Sequence, residues 1–480
     1  MADSARGDGL PEEERLQPAE ANGAAEEVSE GSEDEWSYRN KLILAPMVRV
    51  NSLAFRSLCA ENGADMLYSE EIVARSMLNS VRTENAALGT VDFHRRDQPG
   101  HVIFRVRPRE RVVLQLGTAC GVEALQAAEK AAADVRAIDL NMGCPVKFSV
   151  QGGMGSALLT EPEKVRDILT TLRRNLPASL PITAKIRLLD DYKESLALAQ
   201  MIESCGVAAL AVHARRRHDR PRHWAQWDQF RLLRESLPTS LPLILNGDVF
   251  TPAEVRRAYE ETKADSLMLA RGALWNPSIF RVAGGITANG LARPTLPMLT
   301  QADVVSRFVE LTDATSCPIS NAKYTAMLML EGAGRTPPFA LFQRAKTIVE
   351  LRAAAAALHD HAHFTQPGGD FCPAILEPPP DLPDAPSLPI NAWRPVPAFY
   401  QVSETKPSAR SKAAKARATL SAEAAAHNAK AVAAAKASAG VPADEALPAS
   451  PYAVDATRED RYGPRPADST SAHKRTIDQV

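Results

Sequence analysis

Eight short apolar runs, spaced through residues 42–269 and separated by segments of helical period, constrain this chain more than any other feature. They are Leu42–Ala45, Asp65–Tyr68, Val112–Leu116, Ala137–Leu140, Ile182–Ile186, Ala209–Val212, Leu243–Leu245 and Ser266–Leu269. Amphipathic stretches at 121–133, 161–174, 192–204, 227–236 and 252–260 lie between them. Two of these open on a hydroxyl residue, a proline and an acidic residue, at Thr160-Glu161-Pro162-Glu163 and Thr251-Pro252-Ala253-Glu254, as a helix start does. Near-continuous apolar strands that alternate with helices imply a parallel sheet covered on both faces. Eight repeats favour closure into a (β/α)8 barrel of the TIM type. An open doubly wound sheet is the alternative, but no GxGxxG follows the first run.

The stretch 91–111 departs from plain alternation. Val102–Arg107 reads as an extra β segment, and arginines at 105, 107, 109 and 111 would share one face if the strand continued through Pro108. Either a solvated edge strand or an RNA-facing stripe fits that pattern. Beyond Pro277 the period becomes helical, near 302–313, 320–331 and 339–358, which suggests a small all-α domain packed on the barrel. The expected layout is a disordered acidic tail at 1–40, a barrel at 41–298, a helical domain at 299–360, and a linker with a basic Ala/Lys tail at 361–480.

The formal net charge of -2 hides an asymmetry, because the first forty residues are strongly acidic and the Ala/Lys tail is basic. The body between them keeps a small positive excess, compatible with an anionic partner. Cys59, Cys120, Cys144, Cys205, Cys317 and Cys372 are scattered without CxxC or metal-ligand spacing, so neither a metal site nor a disulfide framework is expected. No stretch approaches the ~18 apolar residues of a membrane span, and the N-terminus lacks the apolar core of a secretory signal. A reducing, cytoplasmic or nuclear setting is expected.

Placed on a barrel, the polar residues that interrupt the strands fall at carboxyl ends, where such folds carry their chemistry. Pro46, Met47, Val48 and Arg49 follow strand one, Glu70 and Glu71 strand two, and Gln115 ends strand three. Asn141 and Cys144 follow strand four, Lys185 and Arg187 strand five, His213 strand six, Asn246-Gly247-Asp248 strand seven, and Ala270-Arg271-Gly272 strand eight. An unpaired buried polar group costs several kcal/mol, so this shared placement argues for a ligand. Asn141-Met142-Gly143-Cys144-Pro145, followed by Gly152-Gly153-Met154-Gly155, puts a thiol in a tight loop there. Taken alone that thiol could be a nucleophile, a metal ligand or a core residue, and the lack of a second metal-spaced Cys removes the ligand reading. Glycines and an arginine on the last two strands are the usual parts of a barrel phosphate site, so a phosphorylated cofactor is implied. Lys185 could then stabilise the charge of a reduced flavin, and Gln115 could bond its polar edge. Arg215, Arg216 and Arg217, with Arg220 and Arg222, offer a loop able to grip phosphates.

Residues 40–355 resemble the tRNA-dihydrouridine synthases. The resemblance rests on Leu44-Ala45-Pro46-Met47-Val48, Gln115-Leu116-Gly117, Asn141–Pro145 with Gly152–Gly155, Lys185-Ile186-Arg187, Val212-His213-Ala214-Arg215, Asn246-Gly247 and Ala270-Arg271. Met47-Val48-Arg49-Val50 and Trp275-Asn276-Pro277-Ser278-Ile279-Phe280 resemble the eukaryotic subtype that acts on position 20. This implies FMN, with NADPH as reductant, and a tRNA uridine as substrate. It makes Cys144 the proton donor and assigns FMN contacts to Pro46, Met47, Val48, Gln115, Lys185, His213, Asn246, Gly247, Asp248, Ala270 and Arg271. Asn141, Arg187, Arg215 and Arg216 are left on the substrate side, the helical domain as a tRNA-binding element, and a monomer as the expected state. Asp248 departs from the family pattern, since a carboxylate beside a phosphate would repel it unless it points away. Residues 366–480 do not look like the double-stranded-RNA-binding domain of animal members, and the basic tail is the electrostatic substitute. A barrel reductase of a small pyrimidine and a non-catalytic tRNA scaffold are the competing readings.

Overall fold

Each of the eight apolar runs forms a strand, because a sheet covered by helices outside and by its own side chains inside has no wet face to accommodate alternation. The structure, a computed structural model, describes residues 36–219, 223–281, 286–287, 290–291, 296–331 and 336–366. The acidic tail before Trp36, the linker and basic tail after Gln366, and Arg220 and Arg222 lie outside the described residues. The barrel strands are β1 (Leu42–Leu44), β2 (Met66–Val73), β6 (Val112–Gly117), β7 (Ala137–Asn141), β8 (Ile182–Leu188), β9 (Ala209–Arg216), β10 (Leu243–Asn246) and β11 (Ser266–Leu269). Every pairing among them is parallel, and β1 closes the ring against β11 with Leu42 opposite Leu267. Every residue of β6, β7, β10 and β11 is buried.

The intervening helices α3 (Gly121–Ala131), α5 (Pro162–Asn175), α6 (Tyr192–Ser204), α7 (Trp227–Ser236) and α8 (Pro252–Thr262) fall where the helical period places them. Thr251 caps α8 through a complete capping box with Glu254. Thr160 does not cap α5: a 3-10 turn over Gly155–Thr160 runs up to the helix, Glu161 takes the cap position, and the Thr160 hydroxyl donates to Ala157 O.

Strand β2 runs five residues past the end of its apolar run, through a bulge. Tyr68 faces Val113 and Glu71 faces Gln115, so β2 carries one residue more than β6 between those pairs. The Ser69 hydroxyl accepts from the Gln115 amide at 3.0 Å and replaces the lost ladder bond. The bulge sets where Glu71 emerges at the rim.

Between β2 and β6 the chain adds the short α2 (Ala74–Leu78) and a three-stranded antiparallel sheet, β3 (Ser80–Asn85), β4 (Thr90–Arg95) and β5 (Gln98–Val106). Only β5 is visible as an apolar run, because β3 is polar and largely exposed, and β4 interleaves its buried Val91 and Phe93 with Thr90, Asp92 and His94. The extended strand that would align four arginines does not form. β5 stops at Val106, ahead of Pro108, and Arg109 turns at φ 63. Arg105 instead forks onto Asp92 at 2.7 and 2.6 Å and donates to Thr315 O at 2.5 Å, and Arg111 donates to Asp65 O at 3.2 Å. These are structural ties rather than an RNA-facing stripe.

The C-terminal helices are α10 (Gln301–Ala314), α11 (Ile319–Met329), α12 (Pro337–Arg344) and α13 (Ile348–His359). The single helix expected over 339–358 is two, since Thr347 opens a capping box with Glu350 and starts α13 afresh. Helix α10 packs on α1 (Leu53–Glu61), with the Phe308 ring edge-on to Phe55 at 6.1 Å. Arg49, in the loop after β1, lies 4.1 Å over the Tyr324 ring of α11. Among the described residues the cysteines are free, no cluster of three or more potential metal ligands occurs, and no helix is long and apolar enough to cross a membrane.

Candidate functional site

The loop after β7 is built by Asn141. Its side-chain oxygen accepts from the amides of Gly143 at 2.8 Å and Cys144 at 3.1 Å, which folds the chain back on itself. Arg187 donates from Nε to Gly143 O at 2.7 Å and from Nη1 to Arg216 O at 3.2 Å, so it anchors this loop to the end of β9. The Cys144 carbonyl accepts from the Ser156 amide at 2.9 Å. That approach requires Gly155, at φ +57, because a Cβ there would stand 2.6 Å from Cys144 O. The short helix α4 (Lys147–Gln151) follows, and the Ser149 hydroxyl lies 3.5 Å from Cys144 Sγ. The thiol is half-buried at the rim, and burial first, then the Glu71 charge, raises its affinity for its proton.

Beneath this loop lies a buried polar layer. Gln115 Nε2 donates to Asp139 Oδ2 at 2.9 Å, the Thr183 hydroxyl donates to Asp139 Oδ1 at 2.6 Å, and Tyr68 OH lies 3.4 Å from that hydroxyl. Burial pushes Asp139 up to about 6, although Thr183, Gln115 and Lys185 oppose it. Burial, with help from Arg187, draws Lys185 down to about 8. Between those values both groups carry charge, so the layer holds an anion and a cation out of bulk water. Gln115 uses one of its two amide hydrogens on Asp139, so its oxygen and its second N–H remain for a ligand's donor and acceptor edge. Asp139 and Thr183 are absent from the expected site, although a charged residue in an otherwise apolar strand, Ala137–Leu140, marks Asp139 in the sequence.

On the far side, β9, β10 and β11 end in an ion network. Asp248, at φ 54, accepts from Arg215 Nη2 at 2.6 and 2.7 Å, from Arg271 Nη2 at 2.8 Å and from the Ala225 amide at 2.7 Å. Burial works to raise its affinity for a proton, but the two guanidinium groups outweigh that and hold the carboxyl below its usual range. Arg215 also donates to His213 Nε2 at 3.1 Å and to His223 O at 2.7 Å. A guanidinium can only donate, so Nε2 is the acceptor and the ring proton sits on Nδ1. Burial and the surrounding cations keep His213 neutral.

The expected residues therefore divide. Gln115, Asn141, Cys144, Lys185, His213, Asn246, Gly247, Asp248, Ala270 and Arg271 stand at one end of the barrel, with Pro46, Met47 and Val48 in the loop beyond β1. Asn246 donates to Met268 O at 2.8 Å, and Trp227 Nε1 donates to the carbonyl of Gly247, at φ +126. Arg271 lies 4.9 Å over the Phe250 ring, and Gly272 is required because a Cβ would stand 2.3 Å from Val249 O. Val48 is exposed. Two expectations need correction. Asp248 does not confront a phosphate as a bare charge, because two arginines hold it. Arg215 is not a solvent-facing grip: it is 3% exposed and committed to Asp248 and His213, because β9 continues to Arg216 and two-residue alternation turns Arg215 inward with His213. Arg216 is half-buried, its amide donating to Asp219, and Arg217 is exposed.

Residues 43–335 match the family model described as dihydrouridine synthase. A relative from Schizosaccharomyces pombe, tRNA-dihydrouridine(20) synthase (NAD(P)+), is 32% identical over 349 residues, which is 71% of this chain and 69% of that protein. Its Saccharomyces cerevisiae counterpart, of the same name, is 32% identical over 341 residues, covering 68% of this chain and 85% of that protein. A bacterial relative, tRNA-dihydrouridine synthase B of Klebsiella pneumoniae, is 32% identical over 265 residues, or 55% and 77% of the two chains. With the family model matching more than half of its length, the chain belongs to the dihydrouridine synthase family.

Proposed function

We propose that the protein is a tRNA-dihydrouridine synthase that reduces the C5=C6 bond of a tRNA uridine with FMN and NAD(P)H, at position 20 by likeness to the yeast relatives. The observation that carries this reading is a half-buried thiol, Cys144, presented at the same barrel rim as a buried lysine and an arginine-glycine site. The residues present fit a flavin nucleotide. Lys185 is a buried cation, Gln115 offers an oxygen to a ring N–H, and Arg271 with the closely packed Gly247 and Gly272 forms a cradle for a phosphate. Such a cofactor supplies a hydride to C6 of the uracil.

The remaining steps belong to the chain's own groups. Charge develops on the uracil O4 and C5 as C6 is reduced, and a proton at C5 completes the reaction. Cys144 holds that proton: the S–H bond breaks, the C5–H bond forms, and the electron pair stays on sulfur. A thiol is mostly protonated below about pH 8.5 even in water, and its surroundings here strengthen that. Asn141 and Arg187 keep the loop in place while the uracil, turned out of the tRNA fold, approaches. Arg217 and the helices α10–α13 are assigned to the tRNA itself.

The test is spectroscopic. Purified protein is expected to be yellow, to bleach with NADPH, and to recover colour faster with unmodified tRNA than with free uridine. Colourless protein would refute the flavin reading, and equal recovery with free uridine would move the substrate to a small pyrimidine.

A further inference from the structure

Cys144 stands between charges of opposite sign. Lys185 on β8 is the cation that feels the Cys144 charge, and the Ser149 hydroxyl, 3.5 Å from the sulfur, and the Val146 amide favour the thiolate. The counterweight comes from β2. Glu71 follows the bulge that aims it at this loop, and its carboxyl faces Cys144, Asn141 and Ser149. One carboxylate oxygen, Oε1, is buried and has no hydrogen-bond partner. The neighbouring strand makes room for it: a Cβ on Gly117 would stand 2.4 Å from that oxygen. Glu70, next in sequence, is turned away, its Oε2 accepting from the Arg49 amide at 2.6 Å. Asp139, the other carboxylate near Lys185, is occupied with Gln115 and Thr183.

We propose that Glu71 is the positioning residue of Cys144: its carboxylate receives the thiol hydrogen and keeps the proton on sulfur against the pull of Lys185, the Ser149 hydroxyl and the Val146 amide. This rests on the acid role of Cys144 given above. A thiolate is a nucleophile without a proton to give, so the cation that serves a reduced cofactor would disarm the acid unless an anion were placed against it. Glu71 is that anion, and Gly117 is the space in which it stands. After proton transfer the thiolate, disfavoured beside Glu71, takes a proton back from solvent. The influence runs both ways, since burial raises the Glu71 carboxyl while hydrogens from Cys144, Asn141 and Ser149 lower it, and Glu71 in turn raises the thiol.

Iodoacetamide alkylation of Cys144 as a function of pH, read by peptide mass mapping on the full-length protein without tRNA or NADPH, tests the contact independently of turnover. The alkylation midpoint of Glu71→Gln is expected to fall by about one pH unit relative to wild type. Glu71→Asp, which keeps the charge on a shorter arm, should lie between them. Gly117→Ala, which displaces the carboxylate without removing it, should move the midpoint in the same direction, and it keeps the test open if Glu71→Gln folds poorly. The alkaline limb of dihydrouridine formation should move down with the midpoint. An unchanged or raised midpoint in folded Glu71→Gln and Gly117→Ala would overturn the proposal. A midpoint that falls while the alkaline limb stays in place would overturn it together with the acid role of Cys144, whereas absence of dihydrouridine from wild type alone would count against the function and not against the contact.

Discussion

Glu71 and Asp248 are carboxylates at the same rim of one barrel, the first on β2 past its bulge and the second just beyond β10, and their surroundings treat them in opposite ways. Asp248 is clasped by Arg215 and Arg271 and by the Ala225 amide, and its carboxyl is held below the usual range. Glu71 has a buried oxygen with no partner, and burial raises its carboxyl. The first region is saturated: removing Asp248 leaves the guanidinium groups of buried Arg215 and of Arg271 without their shared counter-charge. The second is under-satisfied, at a cost in stability, as a site is when its polar groups await a reaction. The difference separates a scaffold that fixes Arg271, the arginine proposed for a phosphate, from the group proposed to prepare the acid.

The comparison can be broken in several places. The largest effect is expected from Cys144→Ala, beside Glu71: loss of a general acid should lower dihydrouridine formation roughly 10²–10⁴-fold while the flavin spectrum and its bleaching by NADPH persist. Near-normal product in that variant would remove the reason for an under-satisfied carboxylate there. Next comes Asp248→Asn, which leaves Arg215 buried and uncompensated and should cost about 3–5 kcal/mol in denaturant unfolding. Since the folded Asp248 carboxyl is depressed, its contribution is present above the unfolded value of about 3.9 and is lost as pH falls through the lower folded value. Wild type should therefore shed stability below about pH 4 that Asp248→Asn no longer has to lose.

Smaller effects sharpen the contrast. Thr251→Ala, which opens the capping box of the helix entered directly from the Asp248 loop, should cost about 1 kcal/mol by the same assay. Glu71→Gln should change stability least, by about 1 kcal/mol or less, and with the opposite sign to Asp248→Asn. A carboxyl whose folded affinity is raised supports the fold at low pH and ceases to do so as pH rises through the folded value. Glu71→Gln should therefore match or exceed wild type at pH 7 and lose that advantage near pH 4. A loss comparable with that of Asp248→Asn would show that Glu71 is part of the scaffold after all.

The barrel was legible because its strands are apolar on both faces, so composition alone marks them. β3 and β4 were not, because Ser80–Asn85 is polar on both faces and the alternation of Val91 and Phe93 in Thr90–Arg95 is only two apolar residues long. The rim residues were legible as polar interruptions at strand ends, but their directions were not. Arg215 looked like a surface cation because its strand was taken to end at Val212, and four further residues of β9 reverse its side. Glu71 stood out as one of two acids after a strand, yet the bulge at Ser69, which gives Glu71 and Glu70 separate tasks, is a property of pairing with β6 and leaves no local signature. Asp248 and its partners come from the ends of three strands, β9, β10 and β11, a constellation that no single stretch of sequence contains.

The account turns on the claim that this rim reduces a uridine within tRNA. Its most direct test is nucleoside mass spectrometry of unmodified tRNA incubated with the purified protein and NADPH, with Cys144→Ala run in parallel. The predicted result is dihydrouridine, a uridine gaining two hydrogens, formed by wild type and nearly absent with Cys144→Ala. Flavin-loaded wild-type protein that oxidises NADPH and leaves every uridine of the tRNA unchanged would contradict it.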